Sequence, residues 1–185
     1  MLYKGYTIQP DSPAAGTGLS NHELNQPGCY RDVKDTTCTA QFTVIRNERS
    51  EFLYDGVFGT LYFLAWTTTP WTLPSNTALA VGPTIRYVKV QSYNPYTAEP
   101  FTVILAKDLL HNYFPKKNEE LPMEGYDGNG KNIPYRVVAE YTGADLIGVQ
   151  YEQLVPWIKP DGDAFRVIGG DYVTTEDGTG IVHIA

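Results

Sequence analysis

The sequence is poor in the residues that build metal and redox centres. It holds two cysteines, Cys29 and Cys38, and three histidines, His22, His111 and His183, in 185 residues. No C-x-x-C pair is present and the histidines are far apart in sequence, so no local zinc motif exists, and neither a metal nor a cofactor is expected. The two thiols are expected to be free. Positive charge is also scarce: 14 Lys plus Arg stand against 21 Asp plus Glu, a formal charge of −7. That balance argues against a surface that holds nucleic acid mainly by its phosphates and leaves only local contacts. No apolar run reaches the roughly 20 residues of a membrane span, and the first residues lack the basic head and apolar middle of a secretion signal. The chain reads as cytoplasmic, without membrane contact.

What is present is β-rich. Strand patterns recur at 39–46, 60–67, 78–81, 86–91, 101–105, 135–141, 165–168 and 180–184. Helical signals are confined to 107–114 and to a short segment opening at Thr142, a residue suited to cap it. The fold class expected is α+β and β-rich: a curled sheet or flattened β-barrel with a few peripheral helices. A chain of this length suits one domain, with a leading flap over residues 1–38 and a barrel core over 39–185. Residues 94–100 and 115–134 are rich in Pro, Gly, Asn and charge and read as surface loops. Both ends look cut from something larger.

Residues 66–76, Trp-Thr-Thr-Thr-Pro-Trp-Thr-Leu-Pro-Ser-Asn, are the most informative stretch. The apolar run Leu61-Tyr62-Phe63-Leu64-Ala65 should continue here as a buried strand, yet it gives way to hydroxyls. Pro70 and Pro74 each remove a backbone donor, so the chain must leave the ladder. Thr67, Thr68 and Thr69 then offer donor and acceptor oxygens, and Asn76 adds an amide. Ordinary strand composition would account for two of the three threonines but not for the cluster.

Other candidates are weaker. Residues 125–132, Gly-Tyr-Asp-Gly-Asn-Gly-Lys-Asn, approach a phosphate-binding loop, but Asn132 stands where Ser or Thr is needed, and neither a buried strand nor a helix flanks them. They read as an exposed turn. His183 lies in an apolar strand pattern, opposite Val182 and Ile184, just after the turn Asp177-Gly178-Thr179-Gly180. A structural histidine is the default there, and a ligand-contacting one is the alternative. No Ser-His-Asp or Cys-His arrangement is evident, and a threonine without a base is a poor nucleophile. Positioned water is the better one.

Residues 66–76 closely resemble the threonine-rich peptide of the editing domain, or connective polypeptide insertion, of the isoleucyl-tRNA synthetases, class I aminoacyl-tRNA synthetases. Residues 16–23, Gly-Thr-Gly-Leu-Ser-Asn-His-Glu, resemble the segment leading into that domain, and residues 175–185, ending Gly-Ile-Val-His-Ile-Ala, its last active-site strand. The valyl and leucyl relatives carry an Arg where this chain has Thr69, and the valyl ones a Lys at His183, which favours the isoleucyl branch. Many relatives have a cysteine near Ala15; its absence weakens any metal role for that segment.

The resemblance implies a proofreading hydrolase. Water would deacylate valine wrongly attached to isoleucine tRNA, and valyl-adenylate would also be cleared, while isoleucine is excluded by size. Thr67, Thr68, Thr69 and His183 would be the catalytic residues and, with Asn76, the substrate-binding ones. Asn76 would fix the terminal nucleotide or the threonine loop. His183 would limit pocket size or assist the water, the first being favoured. Partners would be the 3′ end of the mischarged tRNA and the rest of the parent synthetase. The family pattern continues past Ala185 to an acidic residue that holds the substrate's α-amino group, so this segment alone is expected to bind and hydrolyse less well than a longer one. Amino-acid activation is not expected, because the paired histidines and lysine-methionine loop it needs are absent. The competing reading is a non-catalytic module that presents a threonine-lined pocket to a nucleotide or peptide.

Overall fold

The computed structural model describes residues 4–5, 8–30, 32, 34, 36–128, 130 and 132–185. It divides into two compact units, Met1–Asp35 and Thr36–Ala185. In the first, strands β1 (Asp11–Ser12) and β2 (Thr17–Gly18) pair antiparallel across a turn closed by Gly16. Helix α1 (Asn21–Leu24) follows, and Ser20 starts it by accepting from the Glu23 amide at 3.3 Å while its own amide donates to Glu23 Oε2 at 2.7 Å. This reciprocal pair satisfies two amides that a helix start leaves open.

The second unit carries β3 (Cys38–Thr43), β4 (Thr60–Thr67), β5 (Ala78–Val81), β6 (Arg86–Tyr93), β7 (Pro100–Ala106), β8 (Tyr135–Thr142), β9 (Arg166–Gly169) and β10 (Ile181–Ile184). Short helices α2 (Leu110–Tyr113) and α3 (Gly143–Leu146) lie between them. A five-stranded mixed sheet runs β3-β4-β7-β6-β8, and a three-stranded one runs β10-β5-β9. Bridges from Val44 to Tyr151 and from Gln150 to Arg166 join the two at one corner. The sheet-rich, helix-poor architecture agrees with the sequence, and of the two forms expected the strands do not take the closed barrel.

The core explains the joint. Phe42, Phe63, Leu79, Val81, Ile104, Leu146 and Tyr151 are each at most 1% exposed and share one cluster drawn from both sheets. Alternation along β4 sends Leu61, Phe63 and Ala65 into it. A second cluster, including Leu64, Val88, Val90 and Leu105, covers the other face of the larger sheet.

Lys89, 2% exposed, has no acidic side chain at hydrogen-bonding distance among the described residues: its ammonium donates to the Leu53 carbonyl at 3.2 Å and the Asp55 carbonyl at 2.5 Å. It fastens the 3-10 turn Glu51–Leu53 to β6, and burial lowers its pKa from the ordinary value. At Thr142 the expected cap forms, with its amide and hydroxyl both donating to Asp145 Oδ2 at 2.8 and 2.6 Å. Residues 107–114 split into a 3-10 turn, Lys107–Leu109, and α2. The glycine-rich stretch at 125–132 forms neither helix nor strand among its described residues, with Gly125 and Gly128 at positive φ; Asn129 and Lys131 lie outside the described residues. Cys29 and Cys38 are both free thiols.

Candidate functional site

Strand β4 delivers the threonines to its own end. Thr67 is its last residue, and Pro70 opens a 3-10 helix, Pro70–Ser75, that turns the chain away. The Thr69 amide, freed from the ladder, donates to Thr67 Oγ1 at 3.0 Å. The Thr69 hydroxyl lies 3.2 Å from that of Thr67 and 3.3 Å from that of Thr72. Thr67, Thr69 and Thr72 therefore satisfy one another. The exposed Thr68 side chain has no hydrogen-bond partner among the described residues.

Strand β10 forms the facing wall, and a pocket of about 510 Å³ lies between. Thr67, Thr68, Thr69 and Thr72 line one side, and residues 177–183 line another, with Tyr172 and Thr174 also at its rim. The two walls meet where Thr72 Oγ1 and His183 Nε2 approach to 2.8 Å. The sequence marked Thr67, Thr68, Thr69 and His183, and the structure brings all four to this pocket. Asn76 lies beneath it, 4% exposed and outside the lining. Thr72 was passed over although it stands in the same hydroxyl-rich peptide. Tyr172 and Thr174 carry no distinguishing signal, and Asp177 is marked only as part of the turn before β10.

The turn before β10 depends on two glycines. Gly178 has φ +72°, and a Cβ on it would come 2.9 Å from Trp66 Cε3. Gly180 has φ +70°, and a Cβ there would come 2.3 Å from the Cβ of Ala106. The same turn is pinned by Ala106 N donating to Thr179 O at 2.8 Å and by the buried Tyr87 hydroxyl donating to Gly180 O at 2.6 Å. Burial pushes the Tyr87 phenol up to about 12, so it stays a donor across the working range. Gly180→Ala is expected to destabilise the fold by about 2 kcal/mol or more, from left-handed strain and overpacking together. Urea denaturation checks this; an unchanged midpoint would contradict it.

His183 is half-buried, and desolvation lowers its pKa from 6.5. Asp177 and Tyr172 are the other side chains lining the pocket that can ionise. On acidification the unfolded chain takes up this proton first, so the contribution of His183 to stability is present above about 6.5 and declines as pH falls from there toward the lower folded value. An NMR titration of the ring is expected to place its midpoint below those of unfolded controls.

Asn76 supports the histidine from below. Its Nδ2 lies 2.9 Å from Ala78 O, 3.2 Å from Ile184 O and 3.0 Å from His183 Nδ1, and its Oδ1 accepts from the Tyr151 hydroxyl at 2.7 Å. Among the described residues no group of three or more His, Cys, Asp or Glu side chains is placed to hold a metal ion. A larger cavity, about 590 Å³, lies against the other face of the five-stranded sheet, lined by Leu64, Phe101, Val103 and Phe114 among others. It holds none of the residues singled out from the sequence.

No protein-family model matches the chain. Curated relatives do. It is 67% identical over 185 residues to an isoleucine–tRNA ligase of Bacteroides fragilis, and 63% over 187 residues to one of Porphyromonas gingivalis. An isoleucine–tRNA ligase of Clostridium tetani is 42% identical over 185 residues. In each case the whole chain aligns.

The chain belongs to the isoleucine–tRNA ligase family.

It spans 16% of the length of the first two ligases and 14% of the third. Among solved structures it resembles the P. knowlesi cytosolic leucyl-tRNA synthetase editing domain, with a TM-score of 0.58 at 12% identity, covering 80% of this chain and 56% of that one. The P. falciparum counterpart gives 0.51 at 15% identity, covering 77% and 50%. At these identities the likeness is of fold. This segment, matched in full by isoleucine–tRNA ligases, thus has the fold of a synthetase editing domain, the fold that residues 66–76 implied. Among its described residues no helix is long and apolar enough to cross a membrane.

Proposed function

We propose that this domain hydrolyses the ester of valine wrongly joined to isoleucine tRNA, and clears valyl-adenylate at the same pocket, within a parent ligase in the cytoplasm. The observation that carries this reading is the unequal state of the threonines. Thr67, Thr69 and Thr72 are bonded to one another, while the Thr68 hydroxyl is left without a partner in a pocket of about 510 Å³. An unsatisfied hydroxyl beside a rigid scaffold is suited to a ligand carbonyl or water. The pocket can take a small aminoacyl group and one face of a ribose.

Water is the nucleophile in this reading. Its oxygen attacks the ester carbonyl carbon, and the negative charge gathers on the carbonyl oxygen, where the Thr68 hydroxyl donates. The bond from carbon to ribose oxygen then breaks. The proton lost by water ends on the departing ribose oxygen, carried by the neighbouring ribose hydroxyl. The products are free valine and tRNA with an intact 3′ end. No cofactor is needed. His183 acts as a wall: Nδ1 faces an amide donor and Nε2 faces Thr72, so neither nitrogen is left to take a proton from water.

Thr68→Val keeps the shape and removes the hydroxyl, and being exposed it should fold normally. The expected result is a loss of valyl-tRNA hydrolysis of about 100-fold, the usual effect of deleting one donor to a developing oxyanion. Retention of the full rate would remove Thr68 from the mechanism. A module that only binds, the second reading, would release no valine in wild type or variant.

A further inference from the structure

The orientation of the buried Asn76 carboxamide can be read from its surroundings. Two backbone carbonyls, Ala78 O at 2.9 Å and Ile184 O at 3.2 Å, face one end of it. Only the NH₂ end can face two carbonyls, because the reversed amide would set three acceptor oxygens together. The other end must then be Oδ1, and the Tyr151 hydroxyl donates to it at 2.7 Å. A consequence follows for His183, whose Nδ1 lies 3.0 Å from that same NH₂. Nδ1 faces a donor, so it must be the bare, accepting nitrogen. The proton of the neutral ring is therefore on Nε2, aimed at Thr72 Oγ1 2.8 Å away. Thr72 can accept it because its own hydroxyl proton is spent on the Thr69 carbonyl at 2.7 Å. Each link of the chain pairs a donor with an acceptor, and the two Asn76 N–H groups are shared among three acceptors.

The deep end of this chain is firmly seated. Tyr151 is 1% exposed, on the segment that joins the two sheets. Its amide donates to Phe165 O at 3.0 Å, and its ring meets Phe42 edge-on at 5.3 Å. Burial raises its phenol well above the ordinary value, which keeps the hydroxyl a donor.

We propose that Tyr151 and Thr72 are positioning residues of the editing pocket. Through a one-way hydrogen-bond chain, Tyr151 to Asn76 to His183 to Thr72 to the Thr69 carbonyl, they hold His183 as a single neutral tautomer in a single ring orientation. The pocket wall that meets the amino-acid side chain is thereby stiffened from a residue buried at the joint of the two sheets. The selectivity part of this proposal rests on the hydrolytic function proposed above; the tautomer part does not.

The test is nitrogen NMR of the 185-residue chain with ¹⁵N-labelled histidine, with His183 assigned by replacing His22 and His111 with glutamine. The wild type is expected to show a bare Nδ1, a protonated Nε2 and an Nε2 proton protected from exchange with water. A protonated Nδ1 in the neutral ring would overturn the proposal whether or not the chain hydrolyses anything. Tyr151→Phe is expected to speed Nε2 proton exchange and to lower valine-over-isoleucine selectivity, each by about threefold to tenfold, the worth of one neutral hydrogen bond. Unchanged exchange and selectivity would remove Tyr151 from the chain.

If Tyr151→Phe does not fold, the half-buried mouth supplies the same test. Thr72→Val is expected to produce the faster exchange and lower selectivity, and Thr72→Ser, which restores the hydroxyl, is expected to reverse both. Equal behaviour of the two variants would overturn the role of Thr72. A domain with the expected nitrogen signals that releases no valine would refute the hydrolytic reading and leave the hydrogen-bond chain standing.

Discussion

Replacing His183 with alanine is expected to relax the proposed selectivity for valine, so that the isoleucine ester is hydrolysed as well. The ring closes one wall of the pocket and neither of its nitrogens is free to handle water. Its removal should therefore spare the chemistry and abolish the exclusion. One methylene in an apolar pocket is worth about 1–3 kcal/mol, a figure for which isoleucine against valine is itself the worked case, so a second site that excludes by size must add to it sterically. Opening that site should raise isoleucyl-tRNA hydrolysis by about 10-fold to 100-fold, with valyl-tRNA hydrolysis changed by less than about threefold. Deacylation of the two esters on the same tRNA, compared in wild type and variant, measures both. A parallel loss of both activities would make His183 part of the chemistry.

The second large effect is on stability. Asn76→Ala removes a carboxamide that serves four partners: Tyr151 Oη, His183 Nδ1, Ala78 O and Ile184 O. A buried polar group left without a partner costs about 1–3 kcal/mol, and Tyr151, 1% exposed, would lose the acceptor of its hydroxyl. The expected destabilisation is about 2–4 kcal/mol in urea denaturation, larger than for any single threonine of the peptide. The slope of the transition should be unchanged, since the fold is retained. A loss below about 0.5 kcal/mol would mean that the network carries no strain of burial and that water replaces the amide freely.

These two expectations draw on different kinds of sequence information. The strand at 60–67 was legible because an apolar, aromatic-rich run persists from Leu61 to Ala65, and its end was legible because Pro70 and Pro74 cannot stay in a ladder. The helical pattern at 107–114 was legible as helix, but not as a 3-10 turn followed by a single α-turn. The β1–β2 hairpin, two residues to a strand, is too short to leave a pattern. Many short strands fit a barrel or a curled sheet equally, and the strand order, two open sheets joined only by corner bridges, decides between them.

The site was legible to the extent that its hydroxyls cluster in one peptide. Thr67, Thr68 and Thr69 stand out by composition, whereas His183 was marked by the family resemblance of its strand, its place after a glycine turn leaving a structural histidine the default. The network could not. Thr72 and His183 are 111 positions apart, and Tyr151 reaches Asn76 across 75. Tyr151 is one of 14 tyrosines, and nothing in its local sequence separates it from the other thirteen. What singles it out is the bridge that seats its backbone where two sheets meet, a property of topology.

The most direct test of the account is release of amino acid from the two esters. Valyl-tRNA and isoleucyl-tRNA, both on isoleucine tRNA, are presented to the ligase that carries this segment, under conditions without amino-acid activation. The account predicts valine release faster than isoleucine release by about two orders of magnitude or more, with valine release reduced about 100-fold by Thr68→Val. Equal release of the two amino acids, or release of neither, would contradict it.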